Sequence, residues 1–361
     1  MAPLPAPPPG SGSLLRDPYE LFHALQDATG SYTCGAGDPD AWFWEATAEW
    51  ATGEVFPGEP EYARLIGAFA MHPHLPLNFF DYPDSGAFIE TYQYGAFLFP
   101  RFLSEQVLSP GAIRDAWVEP GDADEPLDAL ATLLRADGEA LLPTVARSHA
   151  HIATWDFDDG PLYEDLVDDW ADLFPTEDFQ VASELRGSQA DGDVHSPEAL
   201  LLPGHLGASI VRLSAPGCST LTVRFDGEDG GSLGSTARWA GVLALHGEPP
   251  SYSDLDPGRE ETVFLDGDSD QVDLIIVPES ASGWVEGERF GLTYSLTLEP
   301  AGADDPDCTP PSTGAGGGVD LPASSDGFSP LPGRGCGCSS GGATSGSLWL
   351  VTVLLMWGRR R

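Results

Sequence analysis

The sequence predicts an α+β chain, a mainly helical first half followed by an antiparallel β-sandwich. Three observations predict it. Over residues 14–173 apolar side chains recur at helical spacing, broken by turns that contain Pro and Gly. Over residues 194–300 the period changes to two, in short runs bounded by Gly, Asp and Pro. Aromatic residues make up 10% of the chain, with ten Trp among them, which is too many for a disordered polyanion.

The elements follow in order. Residues 1–13, MAPLPAPPPGSGS, are a low-complexity start expected to be disordered. The 14–185 region opens with a helix over 19–28, in which Leu21, Phe22 and Leu25 are apolar and Gly30 lies beyond the end. A Trp-rich helix over 41–51 comes next, then helices over 61–71, 91–106, 111–118, 126–136 and 140–153. In the 190–300 region strands are expected over 209–214, 219–225, 238–246, 261–265, 272–277 and 292–298. Leu292, Tyr294, Leu296 and Leu298 share one face of the last, and Thr293, Ser295 and Thr297 the other. This spacing argues for a sandwich. In architecture it resembles the accessory sandwich domains that follow many secreted bacterial peptidases. Residues 301–335, rich in Gly, Pro, Ser and Asp, read as a flexible stalk, and 336–361 as a separate tail.

Composition narrows the partners. Asp and Glu number 57 against 16 basic residues, for a formal charge of −41 and a pI near 4.1. Such a field repels nucleic acid and anionic lipid. It is tolerated in high salt, where screening removes the self-repulsion. Of the five cysteines, Cys336 and Cys338 belong to the tail, which leaves Cys34, Cys218 and Cys308 for at most one bridge and an odd thiol.

The stretch that carries chemistry is Tyr19-Glu20-Leu21-Phe22-His23-Ala24-Leu25-Gln26. With His in place of Tyr19 it would read His-Glu-x-x-His, in which two imidazoles one turn apart face one zinc and the Glu polarises its water. Twenty-two residues past His23 stands Glu45, followed by the small residues Ala46, Thr47 and Ala48. Together with Phe56-Pro57-Gly58 and the segment Tyr94-Gly95-Ala96-Phe97-Leu98-Phe99, residues 17–170 resemble a myxobacterial family of surface metalloproteases of gluzincin type. The resemblance implies a zincin-like helical domain, with Glu20 as general base, His23 and Glu45 as zinc ligands, Tyr94 as an oxyanion donor, and a peptide or protein substrate.

Two departures stand against activity. Tyr19 occupies a ligand position, and a phenol with an ordinary pKa near 10 must lose its proton to bind zinc well. Too few residues precede this helix for the edge strand that holds a peptide in zincins. The expectation is therefore a surface member of a zinc metallopeptidase family with impaired catalysis. Two alternatives stay open: an active zinc endopeptidase whose true upstream sequence restores the ligand, and an adhesin acting through the sandwich.

The tail runs Gly335-Cys336-Gly337-Cys338, a Ser/Gly spacer, an apolar run over 348–357, and Arg359-Arg360-Arg361. As a helix that run spans roughly 15 Å, half a hydrocarbon core. The order resembles the MYXO-CTERM sorting tail of myxobacteria. It implies cleavage near the cysteines by an envelope processing protease, display on the outer surface, and membrane contact through the tail alone. The plain alternative is a short single-span anchor. Residues 1–13 lack the charged and apolar regions of a secretory signal, which for an exported chain points to a natural start elsewhere or a shifted frame.

Other constellations read as structural. His72-Pro-His74 reads as an incidental loop pair, and His149 and His151 as surface residues. Asp266-Gly-Asp268-Ser-Asp270 lacks the later ligands of an EF-hand, which leaves a sandwich-loop calcium site or a solvated acidic turn. Asp156-Asp158-Asp159 and Glu164-Asp165-Asp168-Asp169 read as acidic faces.

Overall fold

A computed structural model describes residues 16–34, 40–81, 87–121, 123–173, 183–186, 194–214, 219–265 and 271–300. The predicted start, the calcium-loop residues 266–270, the stalk, and the tail with Cys336, Cys338, Arg359, Arg360 and Arg361 lie outside these.

The chain is α+β. The helices are α1 (Arg16–Thr29), α2 (Ala41–Val55), α3 (Pro60–Ala63), α4 (Gly67–Met71), α5 (Tyr92–Gly95), α6 (Leu98–Phe102), α7 (Pro110–Val118), α8 (Pro126–Ala136), α9 (Leu141–Thr154) and α10 (Gly160–Leu173). The strands are β1 (Ser183–Arg186), β2 (Ser209–Ser214), β3 (Ser219–Gly231), β4 (Ala237–Leu245), β5 (Ser251–Leu255), β6 (Glu260–Leu265), β7 (Gln271–Ser280) and β8 (Phe290–Pro300). They form a five-stranded sheet, β1-β2-β7-β4-β5, and a three-stranded sheet, β6-β3-β8.

Three expectations need correcting. The helix predicted over 61–71 is two short ones, because the Trp170 ring sits 2.4 Å from where a Cβ on Gly67 would lie, and the chain turns to bring that glycine beneath it. The helix predicted over 91–106 breaks into α5, α6 and a π-turn over Leu103–Val107, closed by Leu108 N–H donating to the Leu103 carbonyl at 2.7 Å. Gly95 and Pro100 lie in this stretch: the first lets the backbone meet Ile66 and Phe69 closely, and the second lacks a helical donor. The strands β1 and β5 escaped the sequence reading, and β1 pairs parallel with β2, whereas every other pair is antiparallel.

β7 shows why the layers stack. Its run Val272-Asp273-Leu274-Ile275-Ile276-Val277 is buried on both faces. Val272, Leu274 and Ile276 join Leu221, Val223, Phe225 and Leu296 of the second sheet in one core cluster. Ile275 and Val277, with Ile210, Val242 and Ala244, join the helical core instead, where α9 lies along β4 and β7. One five-stranded sheet thus separates two apolar layers. His149, expected on the surface, is 1% exposed, because α9 turns it into this contact.

Candidate functional site

Helices α1 and α2 build the site. Pro18 falls in the first turn of α1, where its missing N–H costs nothing, and Gly30 ends the helix at a φ of 64° that favours glycine. Residues 19, 23 and 26 then share one face. The small residues Ala46, Thr47, Ala48 and Ala51 of α2 let that face approach closely.

The structure brings three of the five sequence candidates together. The Tyr19 phenol donates a hydrogen bond to Glu45 Oε2, and His23 Nε2 faces the same oxygen at 3.6 Å. Glu45 is 1% exposed. The His23 ring stacks on Trp44 at 6.1 Å, and the Tyr19 ring meets it edge-on at 4.5 Å. Tyr94, on α5, lies within electrostatic reach of Tyr19. Glu20 is exposed, as the residue after Tyr19 on a helix must be when Tyr19 faces inward.

Charges set the protonation states. Burial pushes the Tyr19 phenol well above its ordinary value, and Glu45, Tyr94 and Glu49 push it the same way. Burial acts to lower His23, but the facing Glu45 carboxylate outweighs it and the imidazole titrates above its ordinary value. Burial raises Glu49 strongly, with Glu45 adding to it.

Four further residues complete the cluster. Gln26 Oε1 sits 2.6 Å from His23 Nδ1, and its amide donates to the Trp44 carbonyl and Thr47 Oγ1, both at 2.9 Å. Trp117 Nε1 donates to Thr47 Oγ1 at 3.1 Å. Glu49 was legible in the sequence four residues after Glu45, and Gln26 three after His23. Trp117, seventy residues from Thr47, left no local signal.

As arranged, these donors do not fit a zinc centre. His23 Nε2 has no hydrogen-bond partner and Glu45 faces it, which makes two donors. The third position holds a phenol kept protonated and bonded to the would-be ligand carboxylate. Among the described residues no group of three His, Cys, Asp or Glu side chains is placed to hold a metal ion. Two clefts of about 350 and 330 Å³, one against His72, Leu75 and Phe88, the other against Val107, Leu108 and Leu133, share no residue with the site.

The profile of a family of unknown function, DUF6055, matches residues 18–282, from the start of α1 to just past β7. No curated protein matches.

Proposed function

This chain belongs to the DUF6055 family. We propose that it is a surface-displayed relative of zinc metallopeptidases in which hydrolysis is impaired and binding is what remains. One observation carries the reading: the Tyr19 phenol donates to Glu45, the carboxylate a gluzincin would turn toward zinc. A zincin-like origin for α1 and α2 is supported by the meeting of His23 and Glu45 across two helices, at the positions the resemblance assigns to ligands. The two sheets that share one apolar core favour an accessory β-sandwich. Surface display rests on the C-terminal sequence, the cysteine motif, the apolar run and the three terminal arginines. Among the described residues no helix is long and apolar enough to cross a membrane.

The same convergence favours a second reading. If position 19 of the natural protein held His, two imidazoles and Glu45 would face one cation, and Glu20 would stand where a general base is needed. Zinc analysis after exhaustive dialysis separates the two. The unaltered chain is expected to retain no stoichiometric zinc and to leave casein uncut, while Tyr19→His gains a zinc that His23→Ala removes again. One tightly held zinc in the unaltered chain, lost in His23→Ala, together with casein cleavage, overturns the impaired reading.

A further inference from the structure

Three buried histidines lie along the junction of the helical layer with the five-stranded sheet. His74 is 8% exposed, His149 1% and His205 8%. They lie in or against a strap made of two chain segments, 73–77 and 203–208. Ala208 N–H donates to the Pro73 carbonyl at 2.6 Å, Gly204 N–H to the His74 carbonyl at 2.9 Å, and Leu77 N–H to the His205 carbonyl at 3.2 Å. Leu206 N–H ties the strap to β7 through the Pro278 carbonyl at 2.7 Å. The strap has no slack: a Cβ on Gly207 would lie 2.3 Å from the Leu75 carbonyl oxygen.

Each ring is placed so that a second proton breaks something. His205 Nδ1 accepts the Ser280 N–H at 3.0 Å, so this nitrogen carries the lone pair. Protonating it sets one N–H against another. His149 Nε2 lies 3.2 Å from the Leu206 carbonyl and donates to it, so a second proton puts an uncompensated charge on a ring stacked against Phe69. His74 Nδ1 is buried without a hydrogen-bond partner, and the Arg289 guanidinium and the His72 ring both oppose a positive charge on it. Among the described residues no carboxylate acts on His149 or His205.

We infer that this strap is an acid-opened latch, closed while His74, His149 and His205 are neutral and released when they take up protons together. Burial is the first cause that holds each ring down, to about 4 in all three. A ring that titrates lower closed than open stabilises the closed strap above the ordinary histidine value, near 6.5. The contribution is lost as pH falls from there toward about 4. With three protons taken up on opening, each pH unit multiplies the opening constant by up to about a thousand. The latch is independent of the peptidase-like reading, since none of its residues belongs to the α1–α2 site.

Hydrogen exchange of the Leu77, Gly204, Leu206 and Ala208 amides in the full chain, followed from neutral pH downward, tests it. Protection is expected to collapse steeply within that window. The double variant His149→Gln, His205→Asn keeps the Leu206 donor and the Ser280 acceptor but removes two of the protons, so its slope is expected to fall to about tenfold per pH unit. Amides that stay protected to the bottom of the window, or a double variant as steep as the parent, overturn the proposal. Should the variant fail to fold, NMR of the histidine ring carbons in the parent decides: three rings that charge only as the strap opens support the latch, and ordinary independent titration under a closed strap sinks it.

Discussion

Two buried carboxylates, one in each half of the molecule, have histidine beside them and differ in everything else. Glu45 on α2 meets a phenol and an imidazole, with a second carboxyl, Glu49, one turn away. Asp273 on β7, fully buried, receives both Arg212 Nε at 2.9 Å and Nη2 at 2.8 Å, and His246 Nε2 at 2.9 Å. Burial acts to raise Asp273, but the hydrogen bonds from Arg212 and His246 overcome it and hold the carboxyl below its usual range. The sheet answers its buried charge with the Arg212 guanidinium and a hydrogen bond from the His246 ring. The helical site sets its carboxylate against a phenol and an imidazole instead, and burial first, with Glu45 adding to it, pushes the neighbours Tyr19 and Glu49 upward. Removing one partner of a buried pair of the first kind leaves the other without its counter-charge, whereas perturbed carboxyls of the second kind cluster at functional sites in proteins generally.

Asp273→Ala is the largest test of that contrast. It leaves Arg212 and His246 without their acceptor and is expected to lower stability by about 3–5 kcal/mol in urea unfolding at neutral pH. The sign with pH follows from the depressed carboxyl. Its contribution is present above the ordinary aspartate value and disappears as pH falls through the lower folded one, so the gap between parent and variant closes in acid. A cost below about 1 kcal/mol would mean the paired charge is no anchor, as for exposed pairs.

Thr47→Val comes next. The change is nearly isosteric, but it strips the acceptor from Trp117 Nε1 and one acceptor from Gln26, at a fully buried position. A loss of about 2 kcal/mol is expected, with quenching or shift of the Trp117 emission as a local readout. An unchanged unfolding midpoint would show that the hydroxyl network under His23 contributes nothing to stability.

Tyr19→Phe is the smallest. It removes a neutral donor from Glu45 while the His23 contact survives, so about 1 kcal/mol is expected, together with faster amide exchange confined to α1. A cost as large as that of Asp273→Ala would erase the difference between the two halves.

Much of this was legible residue by residue. The alternation in Leu292, Tyr294, Leu296 and Leu298 placed β8 and its buried face, and β2 falls on the residues its period marked. α8 begins at the Pro and ends at the Ala the pattern gave it. In the site, the spacing that set His23 one turn from Tyr19 and put Glu45 on a second helix brought all three to one point. β1 is only four residues long and β5 carries polar Ser and Asp, so neither repeats enough to show a period. The burial of His149 was illegible because it depends on which face of α9 meets β7, and that strand lies more than a hundred residues further along the chain.

The sequence by itself determined the change from helical to alternating period, the acidity, and the faces on which Tyr19, His23 and Glu45 stand, because those follow from spacing within single elements. Only the tertiary structure decided that Tyr19 turns its proton onto Glu45, that Trp117 closes the network beneath, and that three buried histidines lie in or against one strap. Local periodicity fixes the direction in which a side chain leaves its helix or strand. What it meets there is set by the packing of elements distant in sequence, and protonation follows from that meeting.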